Sequence, residues 1–401
     1  MGNLEILDAV QAAKKTFVSA EELGLLGKKD TVNGRTFTKF RKSIYNAYLI
    51  FSKHPKFYGK IRFDEFSQTL RYNGEAMEDR IIFDIMIWIE GNYYVEFKKN
   101  TLLAAFQKVA HENRYHAILE IVEKIPYNGE KNIDDFLWRY AGVNVVINTR
   151  QDMMKSGPEK LKIQHKQNSD RARLICAYSR KFFLSSMARM LWSKKKSPVK
   201  VDTVLCLFGE QGIGKSEMLK ALCFSPEFFS RTALDMASKE AILKIQGIQI
   251  YEIAELAKRR GHNVEKAFIG DSHDNIVMKW EKFARKLPRQ CIFAITTNQI
   301  NFIRDSTGSR RHWPVYIGED GEPLDIVSIR KIAPLLWAEA YHILTQEHEI
   351  EGKLYSVYEI IQDKMPGYEQ FIWWLTDEEE ILRKKDSELF QSVHPWKNKI
   401  E

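Results

Sequence analysis

The chain has 401 residues, room for two or three domains at roughly 150 residues each and enough to bury a core without disulfide or metal staples. Hydrophobic residues make up 44% and charged residues 28%, which excludes a largely disordered chain. Lysine and arginine number 61 against 53 acids, a formal charge of +8; such a surplus suits a polyanion such as nucleic acid where it clusters.

The N-terminal residues 1–15 show no basic start followed by an apolar run, so they do not read as a secretory leader. Gly2 is followed by Ile6, where an acylation site needs Ser or Thr. Residues 1–28 carry a short helical pattern ending near Gly24-Leu25-Leu26-Gly27. Phe40, Ile44, Ala47, Tyr48 and Phe51 recur at helical spacing and predict a basic amphipathic helix over 36–53, charged by Lys39, Arg41, Lys42 and Lys53. Strand-like runs at 60–67 and 69–72 lead to a turn at Asn73-Gly74. Helical patterns follow over 78–90 and 101–125, then a turn at Tyr127-Asn128-Gly129 and a short helix over 132–141. The Gly157-Pro158 pair and the cluster Lys155, Lys160, Lys162, Lys166, Arg171 and Arg173 mark a boundary. The division is therefore a mainly helical domain over 1–150 and a basic linker and helix over 151–200, the helix itself over 173–192. Its end at Lys194-Lys195-Lys196 is either a phosphate contact or a solvated helix terminus.

From 201 to 316 short apolar runs alternate with helical segments, the signature of βαβ units on a parallel sheet. Candidate strands are 203–208, 248–252 and 291–297. An amphipathic helix over 328–345 and an aromatic, charged tail make up a helical C-terminal region, 321–401. No run approaches ~18 uncharged apolar residues, so no membrane span is expected. None of Cys176, Cys206, Cys223 and Cys291 forms a CxxC pair, which removes zinc-finger and redox-motif readings and suits a reducing compartment.

The strongest signal is Gly209-Glu210-Gln211-Gly212-Ile213-Gly214-Lys215-Ser216, which fits G-x-x-x-x-G-K-[ST] without mismatch between an apolar strand run and a helical pattern opening after Glu217. Glycines let the chain turn tightly so that backbone N–H groups face a phosphate, and the helix N-terminus adds positive partial charge. Lys215 is expected at the β- and γ-phosphates of ATP and Ser216 at Mg²⁺. Hydrolysis also needs acids on a neighbouring strand: Glu252 is assigned to the metal and Glu255 to the attacking water. Asn298, after the third strand run, belongs to the same strand-end site. Arg310 and Arg311 suit transition-state charge on a transferring phosphoryl group. Adjacent residues point to opposite sides of an extended strand, so at most one is the finger; the alternative is a salt bridge or a DNA contact.

The order of these pieces resembles the virulence-associated protein E family, phage- and plasmid-type replication ATPases allied to superfamily three helicases. The match is dense over about 200–316: Val201-Asp202, Gly209 through Ser216, Ile253-Ala254-Glu255-Leu256, Lys266-Ala267-Phe268, Leu287-Pro288-Arg289-Gln290-Cys291, Thr296-Thr297-Asn298, and Arg304 through Val315. The resemblance implies an α/β fold with a P-loop (AAA+-like) ATPase core over 201–320. It implies an ATP- and Mg²⁺-dependent DNA helicase or translocase, a homo-oligomeric ring of hexameric type on single-stranded or forked DNA. In that picture Asn298 senses the γ-phosphate, Arg310 or Arg311 is a finger supplied in trans, and 1–150 serves as a collar for DNA binding or oligomerisation. It also implies a primase-polymerase domain upstream or as a separate partner, a C-terminal region that continues in relatives, no membrane partner, and the cytoplasm of a bacterial host. Residues 274–286 depart from the family's arginine-rich pattern but alternate as a hairpin turning near Glu281-Lys282. Lys279, Trp280, Lys282, Arg285 and Lys286 are its expected DNA contacts, with Trp280 stacking on a base. The alternative is a replication initiator that uses ATP only to assemble. A small-molecule kinase would need an acceptor lid after the loop, and 225–247 reads as plain helix and connection.

Overall fold

A computed structural model describes residues 18–33, 35–143, 158–193, 198–254, 262–277, 283–299, 309–318, 321–363 and 372–387. The chain divides into two units, 1–117 and 118–401.

In the first unit the Ser19 hydroxyl accepts from the Glu22 N–H and starts α1 (Ala20–Leu23). Strand β1 (Gly27–Val32) pairs antiparallel with β2 (Arg35–Phe40). The helix expected over 36–53 is therefore a strand followed by a helix, α2 (Ile44–Lys53). The physical reason is local. Asn33-Gly34 is the strongest short hairpin link, Asn33 has φ 51°, and Thr36, Phe37 and Thr38 favour an extended chain. The Ser43 hydroxyl then accepts from the Asn46 N–H and fixes where the helix begins. Strands β3 (Ile61–Asp64), β4 (Thr69–Tyr72), β5 (Glu75–Ala76) and β6 (Arg114–Tyr115) make a sheet of order β5-β4-β3-β6. Helices α3 (Asp79–Tyr93) and α4 (Lys99–Glu112) complete the unit. The single helix expected over 101–125 is broken because β6 joins β3 and the buried Asp64 carboxylate accepts from the N–H groups of Phe66 and Ala117. That acceptor starts a separate helix, α5 (Ala117–Val122). Helices outnumber strands in residues among the unit's regular elements, around a core that includes Ile50, Phe51, Phe57, Ile61, Ile89 and Phe106.

The second unit continues with α6 (Phe136–Tyr140) and α7 (Pro158–Ser193). The stretch read as a linker ahead of a helix at 173 is helical from Pro158, a residue that suits a first helical turn because its missing N–H is not needed there. A five-stranded parallel sheet forms from β7 (Val204–Phe208), β8 (Phe229–Ser230), β9 (Ile250–Ala254), β12 (Ile292–Thr297) and β13 (His312–Tyr316), in the order β13-β7-β12-β9-β8. Between them lie α8 (Lys215–Leu222), α9 (Glu240–Lys244), α10 (His262–Gly270) and the antiparallel pair β10 (His273–Ile276) and β11 (Arg285–Pro288). Every residue of β7 and β12 is buried, as expected of strands covered on both faces. The last described elements are α11 (Ile326–Thr345), a hairpin of β14 (Glu347–Ile350) and β15 (Lys353–Ser356), α12 (Val357–Gln362) and α13 (Asp377–Ser387), so the helical C-terminal region also contains a two-stranded ribbon.

Helices α7 and α11 brace the sheet. The Trp337 indole N–H of α11 donates to the Leu222 carbonyl at the end of α8, 2.6 Å away. Tyr178 of α7 stacks on Trp313 of β13, ring centres 5.2 Å apart. Arg189 of α7 is buried and donates to the carbonyls of Cys291, Val201 (2.9 Å) and Asp271 (3.2 Å). One guanidinium thus ties the approaches to β12, β7 and β10 together.

Candidate functional site

In a parallel sheet every strand presents its carboxyl end at the same edge, and the loops there form the ligand crevice. Strand β7 delivers Gly209 to that edge. A Cβ at Gly209 would lie 2.6 Å from the Ile317 carbonyl oxygen, so the backbone approach admits only glycine. Gly214 has φ 105°, in the left-handed region, and serves as the N-cap of α8. The loop is held from the other side, where the Leu324 N–H donates to the Ile213 carbonyl at 3.0 Å. It runs directly into α8, whose first-turn N–H groups have no partner inside the helix and whose dipole places positive partial charge there. Glu210, Gln211, Gly212 and Glu217 are exposed around the loop, and Ile213 is buried.

Lys215 folds back over this loop. Its ammonium donates to the carbonyls of Gly209 at 2.9 Å and Glu210 at 2.6 Å. Burial pushes its pKa down, and the nearby Glu252 carboxylate opposes that shift. The Ser216 hydroxyl donates to Glu252 Oε1 at 2.6 Å, and the Thr296 hydroxyl donates to the same oxygen. Glu252 is 2% exposed, and its other oxygen, Oε2, is buried without a hydrogen-bond partner. A buried carboxylate oxygen left unpaired is costly. Beside a serine hydroxyl it supplies the hard oxygen donors that Mg²⁺ prefers, and Mg²⁺ is usually held by one or two carboxylates with phosphates and water completing its shell. The described residues contain no group of three or more His, Cys, Asp or Glu side chains that could hold a metal ion by themselves.

Glu252 stands third of five residues in β9, not at a strand end as the expected span 248–252 placed it. The strand starts later because the Gln249 N–H is taken by the Phe228 carbonyl and pairing with β12 begins at Ile250. Thr296 was not singled out by sequence reasoning. Its signal lies in the register: β12 inserts between β7 and β9 with Ala294 opposite Glu252, which sets Thr296 on the same face. Asn298 follows β12 and is exposed at the same edge, one residue beyond the pairing of Thr297 with Phe208. Glu255 lies outside the described residues.

The arginines are elsewhere. Arg310 is exposed, and Arg311 Nε lies 3.8 Å from Asp202 Oδ2, both just ahead of β13, where His312 pairs with Val204. That is the amino edge of the sheet. The five residues of β7, at about 3.3 Å each, separate it from the glycine loop.

Strands β10 and β11 form the expected hairpin, with Ile276 opposite Arg285. Arg285 and Lys286 lie on β11, Lys286 exposed and Arg285 partly so. Lys279, Trp280 and Lys282 lie outside the described residues. The hairpin's base is fixed by a buried pair that sequence reasoning left unassigned. Arg289 donates to Asp274 through Nε at 3.1 Å and Nη2 at 2.5 Å, donates to the Phe268 carbonyl, and lies 4.5 Å over the Phe268 ring. A bidentate pair of this kind holds both side chains in one geometry.

The virulence-associated protein E-like domain matches residues 161–390. The chain belongs to this family. No curated protein matches it. Among solved structures, it is similar to an apo structure of the NrS-1 C-terminal region (305–718) at 12% identity and a TM-score of 0.41, over 83% of this chain and 72% of that one. Two A-form apo structures of the same region give 16% and 13% identity and TM-scores of 0.29 and 0.31, over 54% and 52% of this chain. The chain spans about half the length of those two, 47% and 46%. Among the described residues, no helix is long and apolar enough to cross a membrane.

Proposed function

We propose that the chain is an ATP-driven DNA translocase or helicase of phage- or plasmid-type replication, with a P-loop (AAA+-like) core, working as a homo-oligomeric ring on single-stranded or forked DNA. The observation that carries the reading is Glu252 Oε2, buried and unpartnered beside Ser216 at the mouth of a glycine loop that opens onto the N-terminus of α8. Loop N–H groups and the helix dipole would cradle the phosphates, and Lys215 would exchange its two carbonyl acceptors for phosphate oxygens. Ser216 and Glu252 would hold Mg²⁺, which when bound neutralises charge on the β- and γ-phosphates. Thr296 keeps the Glu252 carboxylate in place, Asn298 at the same edge would sense the γ-phosphate, and Glu255 is the proposed partner of the attacking water.

The position of Arg310 and Arg311 supports a ring. At the amino edge of the sheet they are about 15 Å of strand away from their own phosphate loop. A finger role for either therefore requires a neighbouring subunit's loop. Hairpin residues Lys279, Trp280, Lys282, Arg285 and Lys286 are the proposed contacts to DNA in the pore.

The test is ATP hydrolysis by the full chain with and without single-stranded DNA, together with displacement of a labelled strand from a fork. Lys215→Ala is expected to lower hydrolysis at least a hundredfold, by analogy with the roughly 10²–10³ lost when one transition-state charge donor is removed. Unchanged hydrolysis would overturn the site. ATP-dependent assembly without strand displacement would replace the helicase with an initiator.

A further inference from the structure

The first unit carries an exposed ribbon that the ATPase does not use. β1 and β2 pair only with each other, and almost every side chain described on them is exposed. A two-stranded ribbon is marginally stable alone, yet this one is anchored firmly at its base. Asn46 is fully buried in α2, accepts from the Leu26 N–H at 2.9 Å, and donates to the carbonyls of Leu26 at 2.8 Å and Arg41 at 2.9 Å. The clamp holds both ends of the ribbon and leaves its length in solvent.

The ribbon's chemistry is one-sided. Residues 27–42 contain Lys28, Lys29, Arg35, Lys39, Arg41 and Lys42 against the single acid Asp30, which is +5 of the chain's +8. Lys42 pairs with Glu96 at 3.0 Å; the other five make no ion pair among the described residues. The register sets Lys28 directly opposite Lys39, a like-charge pair that costs stability. Side chains two apart share a face, so Arg35, Phe37 and Lys39 form a cation–ring–cation row beside Lys28, with the one acid, Asp30, directly opposite Phe37 on the same face. Lysines alone would serve to blunt an exposed edge. Phe37, 48% exposed between two cations, goes beyond that role. Basic residues that track phosphates, interleaved with a ring on which a base can stack, are the elements of a single-strand platform.

We propose that this ribbon is a second, ATP-independent site for single-stranded DNA, with Lys28, Arg35 and Lys39 on the phosphates and Phe37 stacked on a base. It stands apart from the ATPase reading, because it rests on residues of the first unit alone. The test is the fluorescence anisotropy of a labelled oligothymidine titrated with the full chain, without nucleotide, across a salt series. The triple variant Lys28→Glu, Arg35→Glu, Lys39→Glu is expected to weaken binding at least tenfold. It should also flatten the log–log salt dependence by about 2, three contacts at roughly 0.7 each for a single strand. Phe37→Ala is expected to weaken single-strand binding about fivefold or more while leaving duplex binding unchanged. Both variants should keep the wild-type melting profile and basal ATP hydrolysis, so a failure here is distinguishable from a failure of the ATPase reading. Unchanged affinity and salt slope in the triple variant would overturn the site. Equal losses on duplex and single strand from Phe37→Ala would overturn the single-strand assignment.

Discussion

Thr296 shows how much of a site can rest on one hydroxyl. It shares Glu252 Oε1 with Ser216, so the carboxylate is oriented from two elements, β12 and α8, while its other oxygen stays unpaired. Groups that orient a metal-binding carboxylate typically matter by about 10–100-fold in metal affinity or activity. Thr296→Val keeps the shape and removes the donor. It is expected to raise the Mg²⁺ concentration that half-saturates ATP hydrolysis by roughly tenfold or more, with little change in nucleotide binding measured in chelator. Thr296→Ser should restore the wild-type value; no rescue by serine would show that packing, not the hydroxyl, is what Thr296 supplies. Lys215 and Ser216 were legible from spacing alone because the loop motif is local. Thr296 was not, because its role depends on which strand lies beside Glu252, and that order is set by pairing across 44 residues of chain.

At the scale of elements, α7 is the organiser of the second unit. Its Arg189 donates to three carbonyls that belong to three different approaches to the sheet. Burial lowers the guanidinium's pKa to about 10, which leaves it charged at neutral pH. Arg189→Met fills much of the same space but takes the donors from all three carbonyls. At about 1 kcal/mol or more for each buried acceptor left unmatched, the expected destabilisation is roughly 3 kcal/mol. It is read as a lower urea midpoint with an unchanged slope; a midpoint within error of wild type would show that the carbonyls find other donors. The same scale explains where sequence patterns misled. Over 36–53 the apolar spacing of Phe40, Ile44, Ala47 and Phe51 is genuinely helical, but the Asn33-Gly34 link and the strand-favouring Thr36-Phe37-Thr38 draw its first part into a hairpin. Local turn chemistry outcompeted a periodicity that began one element too early.

At the scale of the whole molecule, the sheet separates two chemistries. Lys215, Ser216, Glu252 and Asn298 gather toward the carboxyl edge, and Arg310 and Arg311 stand at the amino edge beside Asp202. If the proposed ring forms, each loop is completed by the next subunit's arginine. Lys215→Ala and the double variant Arg310→Ala, Arg311→Ala should each be inactive alone yet recover part of the hydrolysis when mixed. A wild-type lysine site can then meet a wild-type arginine from its neighbour. Absence of recovery, with both variants shown to co-assemble, would exclude the trans arrangement.

Sequence by itself determined the glycine loop, the strand before it and the helix after it. Those features depend on glycine geometry, apolar runs and residues within a few positions of one another. Its apolar alternation permitted a hairpin over 274–286, which the family resemblance led one to expect and which β10 and β11 form. Tertiary structure alone decided that β12 lies between β7 and β9, that one oxygen of Glu252 is satisfied and the other is not, and that the arginines stand at the opposite edge of the sheet from their own loop. It also decided that Lys28, Lys29, Arg35 and Lys39 stand on an exposed ribbon clamped at its base by Asn46. These outcomes come from pairing and burial between distant segments, whose energies no local window of residues contains.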